Sequence, residues 1–306
     1  MNTSMHSDQS ISLVEVGPRD GLQSEEVIFS TQRKVEFIAC LVKAGLRQIQ
    51  VASFVHPRLV PQMADAEELV RALPDVQGVE YSGLVLNQIG LERALTTALG
   101  CIEVSVSAST THSQKNTQMS RQQALHQAEE MIGRAKKRGY AVRGSVQCAF
   151  GCVYEGQIEP QVVSETARIL LQAGADRLAL ADTTGMGHPH LLQEILHRTG
   201  ELWAMELLAL HLHDTLGLGL VNLVTGLDFG VRCFDTSSGG LGGCPFVSGA
   251  AGNIPTEDTV YLLHKLGYST GVDWMQAAGC TRNLEEVLGR QLPAKLRASS
   301  PGCGPA

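Results

Sequence analysis

Residues 210–222 read LHLHDTLGLGLVN and place two histidines at the end of an apolar run that begins at Leu207. We interpret this run as a buried β-strand, in which the alternate residues His211 and His213 point the same way. Two imidazoles on one face of a strand can share a metal ion. A hydrogen-bonded pair of core histidines is the alternative, because the spacing alone does not distinguish the two. The residues at 220–229 continue as a helix.

The same strand-then-helix alternation extends over almost the whole chain. Besides the histidine strand, strands are predicted at 11–16, 49–54, 79–86, 102–106, 141–149, 177–181 and 232–237, and helices at 31–44, 64–73, 90–99, 120–138, 160–173, 190–199, 220–229 and 273–288. Eight such units predict an α/β protein, a closed parallel (β/α)8 TIM barrel with additional C-terminal helices. We expect one catalytic domain over 1–306, with the barrel at about 11–266 and a helical extension and flexible tail at about 267–306. Thr31 is expected to cap the first helix, and Gly45 to end it.

The composition argues for a soluble globular protein and against several other classes. The 306 residues are 43% hydrophobic and 18% charged, with a net charge of −7. The sequence contains no run of Lys and Arg with interleaved aromatic residues, so it gives no support for nucleic-acid binding. The polar start and the lack of a long apolar stretch predict a cytoplasmic protein without a membrane span. The eight cysteines are expected to stay reduced, although Cys148 and Cys152 have a spacing open to a structural metal or a redox pair.

Polar residues follow other predicted strands, and the active site of a barrel lies where its strands end. Arg19 and Asp20 follow the first strand, and Cys244 and Asn253 follow the eighth. Together with the two histidines, Asp20 and Asn253 make a mixed oxygen and nitrogen ligand set. Such a set suits an octahedral divalent ion with open water positions better than a closed tetrahedral zinc site.

Further candidate residues lie on or after other predicted elements, and two of them, Asp182 and Glu257, have two possible roles. Gln50 lies within the second predicted strand, and Asp182 and Thr183 follow the sixth, where all three can line a substrate pocket. Asp182 either faces that pocket or caps the next helix. Glu257 opens a predicted helix, so it either complements the helix dipole or takes part in catalysis. His112 is expected at the surface.

Six segments resemble, in order and spacing, segments of the 3-hydroxy-3-methylglutaryl-CoA lyases, which are metal-dependent TIM-barrel carbon–carbon lyases related to isopropylmalate and homocitrate synthases. They are VEVGPRDGLQSE (14–25), SFVHPRLVPQMAD (53–65), RGSVQCAFGCVYEG (143–156), ADTTGMG (181–187), HLHDTLG (211–217) and GLGGCPFVSGAAGNIPTEDTVYLL (240–263). The resemblance covers about 14–271. It implies cleavage of 3-hydroxy-3-methylglutaryl-CoA to acetyl-CoA and acetoacetate.

Carried over by position, the resemblance implies that a divalent cation, Mg2+ or Mn2+, is bound by four residues: Asp20, His211, His213 and Asn253. Arg19 would stabilise the developing enolate, and Cys244 would donate a proton from a glycine-rich loop. Asp20, or His211 acting with a water, would take the proton of the substrate hydroxyl. The resemblance also suggests a homodimer.

The acyl-CoA substrate needs contacts outside the reacting centre. Lys115 and Asn116 are expected in a loop, where they can meet the phosphates of CoA.

Three positions depart from the pattern of these lyases. Gln50 replaces a glutamate, Ser145 a tyrosine, and Leu218 a glutamine. Our hypothesis is that the metal and acid machinery is intact while the pocket for the C3 substituent is enlarged, which favours a different 3-hydroxyacyl-CoA. A Claisen-type synthase and a non-catalytic binding barrel remain as alternatives from other classes.

Overall fold

The computed structural model describes residues 10–242 and 252–296. Its strands pair in parallel, in the order β1 to β8, and β8 closes the barrel on β1. The eight strands are β1 (Ser12–Glu15), β2 (Gln48–Ser53), β3 (Glu80–Val85), β4 (Cys101–Ser107), β5 (Ala141–Gln147), β6 (Arg177–Ala181), β7 (Leu208–His211) and β8 (Cys233–Thr236). The predicted TIM barrel is confirmed.

Helices surround the barrel. They are α1 (Thr31–Lys43), α2 (Ala66–Ala72), α3 (Gln88–Ala94), α4 (Thr110–Thr117), α5 (Arg121–Lys137), α6 (Pro160–Gln172), α7 (Pro189–Gly200), α8 (Gly219–Asp228), α9 (Thr256–Lys265) and α10 (Trp274–Leu288). The helix α4 falls where the sequence predicted a loop. Helix α10 is the predicted C-terminal helix. None of the helices within 10–242 and 252–296 combines the length and the apolar character that a membrane span requires.

Side-chain caps determine where several helices begin. Ser30 accepts a hydrogen bond from the backbone N–H of Arg33, so the cap of α1 is Ser30 and the prediction of Thr31 was wrong by one residue. Gly45 follows α1 with φ of 103°, a conformation that only glycine adopts readily, which confirms the predicted stop. Helix α5 begins with a reciprocal capping box between Ser120 and Gln123.

The apolar faces of the helices cover the strands, and one continuous hydrophobic core results. Helix α1 buries Phe37, Ile38 and Leu41, as its apolar spacing predicts. The same face also buries Lys34, whose Nζ donates to Asp65 Oδ1 and to the Gln62 carbonyl, each at 2.5 Å. The pairing satisfies an ammonium group that water cannot reach.

A disulfide joins Cys40 of α1 to Cys280 of α10. The expectation that the cysteines stay reduced is therefore wrong for this pair, which lies 240 residues apart in sequence but face to face once α10 packs on α1. Cys148 and Cys152 are buried free thiols. Within the described residues, neither belongs to a cluster of potential metal ligands.

Candidate active site

Three potential metal ligands meet at the carboxyl end of the barrel. Asp20 lies in the turn Gly17–Gly21 after β1, His211 ends β7, and His213 follows two residues later. One ligand atom from each lies within 4.8 Å of the others. Asn253 joins them because its backbone bridges to that of His213. The structure thus brings together the four residues that the sequence predicted as ligands.

The polar atoms of this cluster lie close enough together to share one cation, and the two histidines are also within hydrogen-bonding distance of each other. His211 Nε2 lies 3.1 Å from His213 Nε2, and Asp20 Oδ2 lies 3.9 and 4.0 Å from these two nitrogens. Asn253 Nδ2 donates to Asp20 Oδ2 at 2.8 Å, while Asn253 Oδ1 is buried without a hydrogen-bond partner among the described residues. Facing nitrogen atoms beside an unpartnered amide oxygen leave lone pairs that a divalent cation would satisfy.

Two members of the cluster, His213 and Asp20, are held in the form that binds a metal. For His211, burial is outweighed by the hydrogen bond to Asp235 and by the charges of Asp20 and Asp235, so the pKa of His211 is raised. Burial, joined by the neighbouring His211, lowers the pKa of His213 to about 3, so this ring is neutral. Burial works against ionisation of Asp20, but the charge of Arg19, followed by the electrostatic interactions with His211 and His213, holds the pKa of Asp20 well below its ordinary value. A neutral imidazole and a carboxylate are both ligand forms.

Asp235, at the third position of β8, orients the ring of His211. Its Oδ2 lies 3.1 Å from His211 Nδ1. Although burial favours the neutral acid, the charge of Arg143 and the bond to His211 lower the pKa of Asp235, which makes it an acceptor. His211 Nδ1 therefore donates to Asp235, and the ring is oriented with Nε2 facing the cluster. Asp235 is a residue for which the sequence predicted no role.

Arg19 is fixed on both sides. Its Nη1 donates to Asp20 Oδ1, and its Nε donates to Gln50 Oε1. Gln50 is fully buried, and its Nε2 donates in turn to Glu103 Oε2 at 2.8 Å. The guanidinium is thereby held beside the cluster, as predicted from its place in the sequence.

The residues of the predicted substrate pocket lie on this rim with distinct contacts. Asp182 is buried, and its Oδ2 accepts from the backbone N–H of Gly187 at 3.0 Å. Helix α7 is capped by His188, so the alternative in which Asp182 caps it is wrong. Burial raises the pKa of Asp182 to about 7, against the backbone hydrogen bond of Gly187. Thr183 Oγ1 accepts from the backbone N–H of Cys148 at 2.8 Å.

Ser145 lies on β5 between Ser105 of β4 and Ala179 of β6 in the strand register. All three side chains are small and buried, and Ser105 Oγ has no partner among the described residues. Leu218 is half-buried just before α8.

Lys115 and Asn116 are exposed in the last turn of α4, on a helix and not in the predicted loop. The Lys115 ammonium lies 4.7 Å from the ring centre of Tyr154. His112 on the same helix is buried, and burial lowers its pKa, so the expectation of a surface histidine was wrong.

Cys244 lies outside the described residues, but the start of its loop is described. Glu257 is buried and accepts from the backbone N–H of Gly239 at 3.0 Å and from Thr281 Oγ1 at 2.7 Å. Glu257 therefore connects the loop to α10, which is neither of the two roles predicted for it, complementing the helix dipole or taking part in catalysis. Burial raises the pKa of Glu257 to about 7.

Glu15, at the end of β1, holds the other side of the loop and was also missed. It accepts from the backbone N–H groups of Gly17 and Ser238 at 2.9 and 2.8 Å, and from Thr256 Oγ1 at 2.6 Å. An acidic residue at the end of an apolar strand was the signal that could have found it.

Comparisons with known proteins find relatives over most of the chain. The sequence matches the HMGL-like family over residues 10–282. It is 43% identical over 265 residues to the 3-hydroxy-3-methylglutaryl-CoA lyase, cytoplasmic, of Rattus norvegicus, covering 86% of this chain and 77% of the relative. It is 42% identical to the hydroxymethylglutaryl-CoA lyase of Pseudomonas mevalonii, covering 92% and 93%.

Two solved structures have the same fold over nearly their whole length. The HMG-CoA lyase of Bacillus subtilis superimposes with a TM-score of 0.92 at 37% identity, covering 95% of this chain and 98% of that one. An HMG-CoA lyase from Acinetobacter baumannii, in complex with coenzyme A and 3-methylmalate, superimposes with a TM-score of 0.91 at 34% identity, covering 96% and 98%.

Proposed function

The chain belongs to the HMGL-like family, and on that basis we propose that it is a carbon–carbon lyase that cleaves 3-hydroxy-3-methylglutaryl-CoA to acetyl-CoA and acetoacetate. One observation carries the proposal beyond family membership. Asp20, His211 and His213 converge at the carboxyl end of the barrel with the guanidinium of Arg19 beside them. A cation-binding cluster next to a fixed positive charge suits a reaction that develops an enolate.

We propose that Asp20, His211, His213 and Asn253 hold a Mg2+ or Mn2+ ion. When bound, such an ion supplies Lewis-acid polarisation of substrate oxygens, which favours loss of the hydroxyl proton. The oxygen donors of Asp20 and Asn253 favour these hard ions over zinc.

The protein's own groups then carry the retro-Claisen steps. Asp20, or a water held by His211, accepts the proton of the C3 hydroxyl, and a C3 carbonyl forms as the bond between C2 and C3 breaks. The bonding electrons pass to the thioester oxygen, so acetoacetate leaves an acetyl-CoA enolate whose negative charge faces Arg19. Cys244, as a thiol, protonates the enolate carbon and completes acetyl-CoA.

Several further assignments belong to the same proposal. Lys115 and Asn116 are exposed on α4, where they are free to meet CoA phosphates, and a relative has been solved with coenzyme A. Gln50, Asp182 and Thr183 border the acyl group. The whole chain acts as one catalytic domain, as a homodimer in the cytoplasm.

A related 3-hydroxyacyl-CoA with a larger C3 substituent is the second candidate substrate. Ser105, Ser145 and Ala179 present three small side chains in register on neighbouring strands, which favours room for added bulk. If this is so, Ser145→Tyr should lower kcat/KM for larger substrates. An unchanged or improved value would remove this candidate.

Acetoacetate release from 3-hydroxy-3-methylglutaryl-CoA tests the main proposal. We expect turnover with Mg2+ or Mn2+ that a chelator abolishes and added metal restores. His213→Ala should lose metal-dependent turnover, while His197→Ala, at a surface histidine of α7, should match the wild type. Chelator-resistant turnover, or none with any metal, would refute the proposal.

A further inference from the structure

Four buried polar side chains meet inside the barrel beneath the candidate site, and we call them the polar layer: Gln50 of β2, Glu103 of β4, Arg143 of β5 and Asp235 of β8. Gln50 Nε2 donates to Glu103 at 2.8 Å, Glu103 Oε2 lies 3.3 Å from Arg143 Nε, and Arg143 Nη2 donates to Asp235 at 2.5 Å. Strands β2 and β4 are not paired, nor are β5 and β8. The Gln50–Glu103 and Arg143–Asp235 contacts therefore cross the barrel interior, whereas Glu103 and Arg143 lie opposite each other on the paired strands β4 and β5.

The polar layer touches the candidate site at two points. Gln50 Oε1 accepts from Arg19 Nε, and Asp235 Oδ2 meets His211 Nδ1 at 3.1 Å. A continuous path of polar contacts thus runs from Arg19 through the layer to His211. Within the polar layer, the Arg143 guanidinium lies between the Glu103 and Asp235 carboxylates. With both carboxylates ionised, the net charge of the polar layer is −1.

We propose that Glu103 is a positioning residue for Arg19, acting through the amide of Gln50. The inference rests on the proposed function, in which Arg19 faces the enolate. A glutamine side chain carries one acceptor and one donor group, and it can turn about its last bond to exchange them. The orientation of the Gln50 amide therefore decides whether its oxygen, which is an acceptor, or its nitrogen, which is a donor, faces Arg19.

Glu103 decides that orientation. An ionised carboxylate only accepts hydrogen bonds, so it selects the amide nitrogen of Gln50 as its partner. The amide oxygen then faces Arg19, whose guanidinium only donates. Arg143 Nε, 3.3 Å from Glu103 Oε2, is a donor group as well, so the Glu103 carboxylate faces donors from both Gln50 and Arg143.

Burial makes this selection strict. Gln50 is 0% exposed and Glu103 4% exposed, so water is not at hand to satisfy a reversed amide. A reversed amide would point its N–H2 at the Arg19 guanidinium and its oxygen at the Glu103 carboxylate, leaving donors against donors and acceptors against acceptors. Among the described residues, Arg19 would then lose the acceptor opposite its Nε and keep Asp20 as its one side-chain acceptor.

A charge exchange between positions 50 and 103 tests the proposal. In Glu103→Gln the amide of Gln50 loses its fixed direction, and kcat should fall about 10- to 100-fold while KM changes little, since Arg19 acts on the developing charge. Gln50→Glu alone sets two carboxylates against each other and should also lower kcat. The double variant Gln50→Glu/Glu103→Gln restores one carboxylate and one amide, with an acceptor still facing Arg19, and should recover kcat to within about threefold of wild type.

Glu80→Gln is the matched control, because it also removes a paired carboxylate, on β3, but one that bonds to Arg177 and not to the polar layer. It should keep the wild-type kcat. Wild-type kcat in Glu103→Gln, or a double variant no better than the single ones, would overturn the inference. Should Glu103→Gln fail to fold, the double variant decides alone, and a loss beyond threefold overturns it.

A readout without turnover separates this inference from the proposed function. In the Mg2+-loaded protein labelled with [15N]arginine, the Nε–H signal of Arg19, identified by its loss in Arg19→Lys, should shift in Glu103→Gln and return in the double variant. If the wild type does not cleave 3-hydroxy-3-methylglutaryl-CoA but the signal behaves in this way, the proposed function fails and the positioning role stands. If the wild type turns over and the signal stays in place, only the positioning role fails.

Discussion

Gly242 leaves no room for a side chain beside the amide of Asn253. Its φ is 109°, and a Cβ atom added there would lie 2.6 Å from Asn253 Nδ2. Ordinary contact begins at 3.4 Å, so in Gly242→Ala one of the two groups must give way by about 0.8 Å. The amide cannot retreat freely, because its nitrogen donates to Asp20 Oδ2 at 2.8 Å and to the Leu241 carbonyl at 3.1 Å.

The expected result is a loss of metal affinity. A displacement near 1 Å at a positioned group costs about 100-fold in activity in comparable cases, and loss of a supporting contact at a metal site about 10- to 100-fold in affinity. Gly242→Ala should therefore weaken binding of Mn2+ at least about tenfold, measured by calorimetric titration of the metal-free protein. The activity at limiting Mn2+ should fall in step, and excess metal should restore part of it.

Backbone strain alone must be separated from this collision. Gly139→Ala is the control, since Gly139 has φ of 85° and nothing within 4 Å of an added Cβ. Both variants should lose about 1–3 kcal/mol of unfolding free energy from the positive φ, but only Gly242→Ala should lose metal affinity. Wild-type affinity in Gly242→Ala, or an equal loss in both variants, would refute the reasoning that Asn253 must stay in place to hold the ion.

Three further changes probe the fold around the site. The pKa of Glu257 is about 7 and so lies above its ordinary value of 4.5, which means that its contribution to the unfolding free energy is complete below pH 4.5 and is lost as pH rises through 7. Glu257→Gln should remove about 3 kcal/mol of this pH-dependent loss. The unfolding free energy of the variant should therefore change less than that of the wild type between pH 5 and 8. Removing the disulfide by Cys40→Ala/Cys280→Ala should cost about 3–5 kcal/mol in urea unfolding, and a reductant should lower the wild type equally but leave the variant unchanged. Asp65→Asn should cost about 3 kcal/mol by leaving Lys34 buried without its counter-charge, whereas Lys34→Met/Asp65→Asn should cost less; equal costs would contradict this account.

The barrel could be predicted because its signal is local. Each unit has an apolar strand and an amphipathic helix within about 30 residues, and the predicted strand at 177–181 coincides with β6. Local signals also placed Asp20 and Asn253 after strands and His211 at the end of one, and strand ends share one rim in a parallel barrel. The cap of α1 and the helix α4 were missed because Ser, Thr and Asn suit loops and helix starts alike.

The polar layer could not be predicted by the same means. Glu103 contacts Gln50 from 53 residues away, and Arg143 contacts Asp235 from 92 residues away. No local pattern records such a pairing across the barrel. A weaker signal was present, because a charged residue in the middle of an apolar strand must find a partner when it is buried. The segments CIEVSVS and AVRGSVQ both carry that signal.

Gln50 illustrates why a departure from a family pattern cannot be judged one position at a time. From sequence, the neutral amide predicts that Arg19 loses a nearby negative charge. In the structure, the Gln50 amide donates a hydrogen bond to the Glu103 carboxylate and accepts one from Arg19. A carboxylate is therefore still hydrogen-bonded to the residue that contacts Arg19. The interaction energy of Arg19 therefore depends on the pair at 50 and 103 and not on either side chain alone. It follows that Gln50 by itself gives no support to a changed substrate, and that argument is left to Ser145 and its small neighbours on the adjoining strands.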